Sequence, residues 1–157
     1  MKSEKNLISV KIRQYRPDDK EKVHSINHIS LEISFRYFYD VFHEKEPELF
    51  LVAEYKGEIV GFILVKNGMN LGESSTALIY AIAVSPQYRS LGIGTQLVKA
   101  IMKVLQEKHI KKFFLHVRTA NKRAVKFYER LGFTEIKKIE KFYSWGEDAY
   151  RMMKLIE

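Results

Sequence analysis

The 157-residue chain lacks cysteine altogether and has few residues that interrupt regular secondary structure. Without cysteine it holds no disulfide framework, no thiolate metal site and no cysteinyl intermediate, and it fits a reducing compartment. Proline occurs three times and glycine eight times, and no Pro/Gly-rich linker or internal repeat divides the sequence. We therefore expect residues 1–157 to form a single domain, long enough to bury a core without covalent help.

Long hydrophobic segments are also missing from the sequence. No apolar run approaches the roughly 18 residues that a membrane-spanning helix needs. Residues 1–7 are charged and polar, and no hydrophobic stretch follows them, so a signal peptide is not predicted. The sequence therefore predicts no membrane segment and a cytoplasmic location.

The residues that are present are those of a folded, basic protein. Hydrophobic residues make up 46% and charged residues 29% of the chain, proportions that exclude a disordered protein. Lysine and arginine total 27 against 19 acids, which gives a net charge of +8. Such an excess attracts polyanions: nucleic acid, acidic peptides or a phosphate-rich cofactor. Composition does not decide among them.

The order of the predicted elements is that of an α/β fold. A first strand is followed by two helices, and the second of these carries aromatic residues at helical spacing within residues 31–43. Lys56-Gly57 predicts a tight hairpin, and residues 77–84 are apolar enough for a strand buried on both faces. A long helix, a short strand, a helix capped by Asn121 and two final strands follow. We expect a mixed central sheet of about seven strands with about four helices.

The connection between the apolar strand and the long helix has the features of an anion-binding turn. Residues 89–95 read Arg-Ser-Leu-Gly-Ile-Gly-Thr and precede a helix N-terminus, which carries about half a positive charge. Gly92 and Gly94 let the backbone approach a diphosphate without a Cβ atom in the way. No Gly-Lys-Ser/Thr follows, as in a Walker loop, and the third glycine and downstream acid of a dinucleotide fingerprint are missing. Taken alone, the turn is better explained as an ordinary strand–helix connection.

Together with motifs further along the chain, this turn resembles the GNAT (GCN5-related N-acetyltransferase) family. The shared motifs are Gln87-x-Arg89-x-x-Gly92-x-Gly94, then Asn121, then Ala124-x-x-Phe127-Tyr128-x-x-x-Gly132-Phe133. The resemblance covers about residues 50–155, and the preceding part is similar in element order. It implies a GNAT-like α/β domain that uses acetyl-CoA as cosubstrate and holds no metal.

The resemblance also implies where acetyl-CoA binds. Its diphosphate would lie on the amides of residues 89–95, and its pantetheine would pair like an extra strand with residues 82–84. Asn121 and Tyr128 would approach the thioester end. The implied cofactor-binding residues are Ile82, Ala83, Val84, Arg89, Ser90, Leu91, Gly92, Ile93, Gly94, Thr95, Asn121, Phe127 and Tyr128.

Within the family, the chain is most similar to protein N-terminal acetyltransferases of the RimI, Ard1 and Naa50 type. The similarity lies in residues 115–121, in Phe142-Tyr143 and in residues 146–149. RimI-like enzymes carry Glu where His116 stands, whereas Naa50-like enzymes carry His. The tyrosine that Naa50-like enzymes use on the central strand falls near Leu78, and Tyr80 lies two residues on. The resemblance implies that the acceptor is the α-amino group of a protein N-terminus or peptide.

Acetyl transfer from a thioester to an amine needs a neutral amine, an oxyanion donor and a proton for the leaving thiolate. Because cysteine is absent, direct transfer in a ternary complex is the simplest route. We expect Tyr128 to be the proton donor. His116 shares a strand face with Phe114 and Arg118, and an imidazole with a pKa near ~6.5 can take the amine proton through a water. Packing roles also remain open for both catalytic candidates.

Three further residues are candidates for holding the acceptor. Glu32 precedes the aromatic stripe, where related enzymes hold the peptide N-terminus, and it equally fits a solvated acid at a helix start. Tyr80 on the central strand is the second candidate. Tyr143 in the last loop is the third, and with Trp145 it fits either a clamp on the peptide backbone or incidental surface aromatics.

Two other functions remain open from the sequence. One is acetylation of a lysine side chain or a small amine, which would favour an open acidic cleft. The other is a basic nucleic-acid-binding module with a contiguous Lys/Arg face, although no nucleic-acid motif is present and a specific nucleic-acid partner is not expected. The pairs Lys111-Lys112 and Lys137-Lys138 fit solvated faces, with ribosome association as a minor alternative.

Overall fold

The computed structural model describes residues 7–30, 36–68 and 75–157. Within these ranges it has seven β-strands and four α-helices, which confirms the predicted α/β class. The strands are β1 Lys11–Gln14, β2 Phe50–Tyr55, β3 Glu58–Asn67, β4 Thr76–Val84, β5 Lys112–Arg118, β6 Thr134–Ile139 and β7 Ala149–Leu155. The helices are α1 Lys20–Ser30, α2 Arg36–Lys45, α3 Ile93–Glu107 and α4 Lys122–Arg130. In this described part of the chain, no helix is both long and apolar enough to cross a membrane.

The seven strands form one mixed sheet in the order β1-β2-β3-β4-β5-β7-β6. The pairs β1–β2, β2–β3, β5–β7 and β6–β7 are antiparallel, whereas β4 and β5 are parallel. The parallel ladder joins residues 76–78 to residues 112–114. Because β4 continues to Val84, its last residues extend past this pairing.

The chain forms two compact units. The first contains the described parts of Met1–Lys66 and Tyr80–Val104, and the second contains those of Asn67–Ile79 and Leu105–Glu157. Helices α1 and α2, strands β1 to β3 and most of α3 thus belong to the first unit. Strands β5 to β7 and helix α4 belong to the second.

Aromatic side chains form much of the core of the first unit. Tyr15, Tyr39, Phe50 and Phe62 are each at most 2% exposed, and the rings of Tyr15 and Phe50 stack with their centroids 4.1 Å apart. The side chain of Asn27 in α1 donates a hydrogen bond to the Tyr39 hydroxyl in α2 at 2.7 Å. These contacts fix both helices in one cluster with β2 and β3.

A largely buried group of charges holds the start of α1. The guanidinium of Arg13 contacts Asp19 (Nη1–Oδ2, 2.8 Å) and Glu54 of β2 (Nε–Oε1, 3.0 Å). The same Asp19 oxygen accepts the backbone N–H of Arg16 at 2.8 Å. Burial alone would raise the pKa of Asp19, but the hydrogen bonds from Arg13 and Arg16 outweigh it and lower the pKa below its usual value. The ionised carboxylate therefore links β1 to the first helix.

We expect Asp19→Asn to lower the free energy of unfolding at pH 7 by about 2 kcal/mol, the scale of a hydrogen bond to a charged group. Because the pKa of Asp19 is lower in the folded state, this contribution is fully present above about pH 4 and is lost as the pH falls through the folded-state pKa. Urea unfolding from pH 7 down to pH 2 measures it, with Asp18→Asn at an exposed neighbour as the control. A deficit that is as large at pH 2 as at pH 7 would contradict this account.

The second unit packs α4 and β5 around a smaller aromatic core. Phe113 and Phe133 are buried, with ring centroids 5.4 Å apart. Tyr128 of α4 contacts Phe133 edge-on at 5.8 Å. The edge strand β6 is exposed along almost its whole length, so the buried residues of this unit come mainly from β5, β7 and α4.

The prediction that β4 is buried on both faces is wrong for one face. Buried and more exposed residues alternate along the strand, and Tyr80 is 47% exposed. Apolar composition alone does not distinguish a face that packs in the core from an apolar face left at the surface. The buried face consists of Ala77, Ile79, Ala81 and Ala83, and the more exposed face consists of Leu78, Tyr80, Ile82 and Val84.

Candidate functional site

The predicted anion-binding turn lies at the start of α3, in the first unit. Ser90 and Gly92 have φ angles of +64° and +87°, so the backbone passes twice through the left-handed region before the helix begins at Ile93. The N–H of Gln96 donates to the Gly92 carbonyl at 3.1 Å, whereas the first N–H groups of a helix have no acceptor within it. The amides of residues 93–95 therefore form the helix end at which an anion can bind.

The segment that precedes β1 supports this turn through Gln96. The Gln96 side chain accepts the backbone N–H of Val10 at 3.2 Å and donates to the carbonyls of Ile8 at 2.8 Å and Gly92 at 3.2 Å. The N–H of Ile8 also donates to the Leu91 carbonyl at 3.1 Å. One amide side chain thus ties the chain before β1 to the turn and to the first turn of α3.

The end of β4 leads directly into the same turn. The guanidinium Nε of Arg89 donates to the Val84 carbonyl at 3.2 Å, and the N–H of Ser85 donates to the Val60 carbonyl of β3 at 2.8 Å. Residues 82–84, the predicted pantetheine-pairing segment, are therefore held on one side by β3 and at their end by Arg89. The first unit contains all the predicted cofactor residues from 82 to 95.

The aromatic stripe on α2 has both a core member and a surface member. Tyr39 belongs to the core, whereas Phe42 is half-buried and lies 5.0 Å from the exposed Tyr80 of β4, centroid to centroid. Tyr80 is thus an accessible side chain on an apolar strand face, in keeping with its predicted contact with an acceptor. Glu32, the other predicted acceptor residue of this part of the chain, lies outside the described residues.

Asn121 caps α4 in the second unit, as its sequence position predicts. Its Oδ1 accepts the backbone N–H of Ala124 at 3.1 Å, the geometry of an N-cap. Phe127, one turn into the helix, is half-buried and contacts Tyr128 edge-on at 5.1 Å. The roles of Asn121 and Phe127 in cofactor binding stay predictions.

Tyr128 is buried, and its hydroxyl is protonated. The residue is 8% exposed, and within the described ranges no hydrogen bond to its hydroxyl occurs, so the alternative of a hydroxyl bonded to backbone gains no support. Burial, and in addition the neighbouring Tyr143, raise the pKa of Tyr128 well above its usual value. The hydroxyl therefore keeps its proton over the whole physiological pH range.

His116 lies on β5 opposite Arg151 of β7. Its Nε2 accepts a hydrogen bond from Arg151 Nε at 3.1 Å, and the ring of Phe142 stacks on it with centroids 4.5 Å apart and planes at 22°. Burial, and then the positive charge of Arg151, lower the pKa of His116 to about 4. The imidazole is therefore neutral at pH 7, and the expectation of a titration near ~6.5 does not apply to it.

The carboxylate of Glu147 holds part of the loop between β6 and β7. Glu147 Oε1 accepts hydrogen bonds from Trp145 Nε1 at 2.6 Å and from Arg118 Nη1 of β5 at 3.2 Å. Tyr143 stacks on Trp145 with centroids 4.9 Å apart and contacts Phe142 edge-on at 5.0 Å. The aromatic residues of this loop are thus fixed in a connected row rather than scattered on the surface.

The sequence predicted the candidate residues of the turn in the first unit and those around His116 and the last loop in the second unit. It did not predict the residues that hold them in place. Gln96, Arg151 and Glu147 each connect segments that are distant along the chain or lie in a loop, and no local pattern marks such a partner. Glu147 and Arg118 lie in motifs that the sequence did single out, so a search for opposite charges among those motifs would have found this pair. Metal-ligand groups of three or more His, Asp or Glu do not occur in the described part of the chain.

Comparison with known proteins identifies the family. Residues 12–133 match the model of the acetyltransferase (GNAT) family. The N-alpha-acetyltransferase of Sulfurisphaera tokodaii is 39% identical over 151 residues, which cover 90% of each chain. Among solved structures, Ard1 from Thermoplasma volcanium is similar with a TM-score of 0.87 and 30% identity, over 96% of this chain and 99% of that one.

A second structural relative was solved with a bound ligand. Naa20 from Chaetomium thermophilum, solved with a bisubstrate analogue, is similar with a TM-score of 0.84 and 29% identity, over 94% of this chain and 87% of that one. The family match and these relatives confirm the prediction of an acetyl-CoA-dependent N-acetyltransferase. The chain therefore belongs to the GNAT family of acetyltransferases.

Proposed function

We infer that this enzyme transfers the acetyl group of acetyl-CoA to the α-amino group of protein N-termini. The observation that carries this conclusion is the 39% identity, over 90% of both chains, with an N-alpha-acetyltransferase. The structural similarity to Ard1 and Naa20 supports the same acceptor.

In this proposal, residues of the first unit bind acetyl-CoA. The amides of residues 93–95, at the positive end of α3, hold the diphosphate. The left-handed backbone at Ser90 and Gly92 turns the chain so that these amides face the anion. The edge of residues 82–84 that lies beyond the parallel ladder pairs with the pantetheine arm. Acetyl-CoA supplies the activated thioester on which the transfer depends.

In the second unit, Tyr128 protonates the leaving group. The amine nitrogen attacks the thioester carbonyl, a C–N bond forms, and the C–S bond breaks as the thiolate takes the Tyr128 proton. The amine releases one proton to solvent water, and the tyrosinate is reprotonated from solvent. Its raised pKa makes the buried hydroxyl a weaker acid than a free phenol and keeps the proton in place until the sulfur bears negative charge.

An α-amine needs little help to become a nucleophile. Its pKa lies near ~8, so roughly a tenth of it is neutral at pH 7, whereas a lysine side chain with a pKa near ~10.4 is almost entirely protonated. A weakly basic site therefore suits an α-amine better than a lysine side chain. His116, neutral and already hydrogen-bonded at Nε2, provides such a site.

The acceptor peptide contacts four aromatic residues in this proposal. The row of Phe142, Tyr143 and Trp145 offers flat surfaces and a phenolic hydroxyl to a peptide backbone. Tyr80 offers a further exposed ring on β4. Glu32 stays a predicted acceptor contact, and a cytoplasmic location and ribosome association stay predictions of the sequence.

Ligand protection separates cofactor binding from the alternative of a nucleic-acid-binding module. Acetyl-CoA at about 100 times its Kd stabilises the folded state by about 2.7 kcal/mol, and we expect thermal unfolding to shift upward accordingly. Steady-state rates over short peptides with different free N-termini then test the acceptor. A Tm that rises with single-stranded nucleic acid and not with acetyl-CoA, together with no acetylated peptide, would refute the proposed function.

A further inference from the structure

The hydrogen bond between Arg151 and His116 determines which ring nitrogen carries the proton. A neutral imidazole has one N–H donor and one bare acceptor nitrogen. Because Arg151 Nε is a permanent donor and contacts Nε2 at 3.1 Å, Nε2 must be the bare nitrogen. The proton of neutral His116 therefore lies on Nδ1.

No carboxylate of the described residues competes with His116 for Arg151. In the described ranges Arg151 makes no ion pair with a carboxylate, whereas Arg118, two residues beyond His116 on β5, is bound by Glu147. The cross-strand pairing places Arg151 directly opposite His116, and Phe142 fixes the plane of the imidazole from the loop. Ring orientation and tautomer are thus both constrained.

The other ionisable groups around His116 leave its neutral Nδ1–H form unchanged. Arg118 lies on the same face of β5 by strand alternation, and its charge is partly offset by Glu147. Tyr143 of the loop contacts Phe142, and Tyr128 of α4 adjoins Tyr143; burial keeps both tyrosines protonated. Arg151 is the charged group that acts most directly on the imidazole.

We propose that Arg151 is a positioning residue that holds His116 as the neutral Nδ1–H tautomer, so that His116 donates a hydrogen bond to the acceptor peptide instead of taking its proton. This assignment of His116 rests on the proposed function. The Nδ1–H group orients the peptide through one of its carbonyl oxygens, and the amine proton leaves to water. A protonated His116, beside Arg151, would repel the α-ammonium group and weaken acceptor binding.

Imidazole ¹⁵N NMR tests the pairing without any turnover. In the wild type at pH 7, we expect two-bond ¹H–¹⁵N correlations of His116, assigned with His116→Gln, to show Nδ1–H with a bare Nε2, and no titration of this ring between pH 6 and 7. Arg151→Met should release the ring, so that Nε2–H appears, and should raise the pKa of His116, although the burial that remains keeps it below the free value near ~6.5. Arg151→Lys, which keeps a charged donor, should preserve the wild-type tautomer.

Kinetics test the consequence for the acceptor. The wild-type kcat/KM for a peptide should rise with pH through the acceptor α-amine alone. Arg151→Met should raise the peptide KM by about 5-fold or more and add a second titration step from His116, at a pH above that of the wild-type ring and below the free value near ~6.5. The KM for acetyl-CoA should stay within 2-fold. Arg130→Met, which removes the same charge from an exposed position of α4, is the matched control and should change neither.

The results of these experiments distinguish failure of the positioning role of Arg151 from failure of the proposed function. Wild-type His116 with Nε2–H, or an identical tautomer and titration in the wild type and Arg151→Met, overturns the positioning role. An Nδ1–H ring in the wild type that is released in Arg151→Met supports that pairing even if no peptide α-amine is acetylated. In that case the proposed function is the part that fails.

Discussion

Replacing Tyr128 by phenylalanine should lower the turnover of acetyl transfer by roughly 100-fold or more, the usual contribution of a positioned general acid. The variant keeps the ring that packs edge-on against Phe127 and Phe133 and removes only the hydroxyl. Since no hydrogen bond to that hydroxyl occurs in the described ranges, stability should change little. The affinity for acetyl-CoA should stay within about 2-fold, so the loss should fall on kcat.

Single-turnover measurements with saturating acetyl-CoA separate this chemical step from product release. Tyr150→Phe is the matched control, because Tyr150 lies on β7, is partly buried, and has no part in the proposed transfer. If Tyr128→Phe turns over like the wild type, Tyr128 is a packing residue, and water or the substrate protonates the thiolate.

Replacing Gly94 by valine should weaken acetyl-CoA binding by about 10- to 150-fold, which corresponds to one charge-assisted hydrogen bond of roughly 1.5–3 kcal/mol. Gly94 lies inside α3, where the helical backbone conformation does not require glycine. Valine is a slightly better helix former than glycine, so the fold should not suffer. The expected loss therefore comes from a branched side chain placed where the diphosphate approaches the amides.

Gly92 would be a less informative position for this test. Its φ of +87° is strained for any other residue, and a Cβ atom there would come within 3.1 Å of the Leu7 side chain. A Gly92 variant would thus alter folding and binding together. Calorimetric titration of acetyl-CoA into Gly94→Val, with Lys103→Val on the exposed side of the same helix as the control, measures the effect. Wild-type affinity in a folded Gly94→Val protein would disprove the assignment of the turn.

The elements that could be predicted from the sequence are those with local signals. Lys56 and Gly57 both have positive φ, at +50° and +80°, as a two-residue hairpin turn requires. Asn121 caps α4 through a bond three residues away. The predicted turn leads into α3, which begins at Ile93 within the Gly-x-Gly. In each case the interaction that stabilises the element lies within a few residues of the signal.

What could not be predicted depends on distant residues or on the choice between core and surface. Gln96 reaches Val10, which is 86 residues away, and Arg151 reaches His116, which is 35 residues away. No periodicity encodes these pairs. Burial, and then the charge of Arg151, lower the pKa of His116 to about 4, far from the value assumed for a free imidazole. The more exposed face of β4 could not be predicted, because apolar composition does not distinguish a face that packs in the core from one left at the surface.

The acceptor nitrogen can be located in one measurement that tests the central claim. A short peptide with both a free α-amine and an internal lysine is incubated with the enzyme and acetyl-CoA, and tandem mass spectrometry identifies the acetylated nitrogen. The same peptide with a blocked N-terminus serves as the control. We predict acetylation of the α-amine alone and no product from the blocked peptide. Acetylation of the lysine in the blocked peptide, at a rate matching that of the free peptide, would contradict the account.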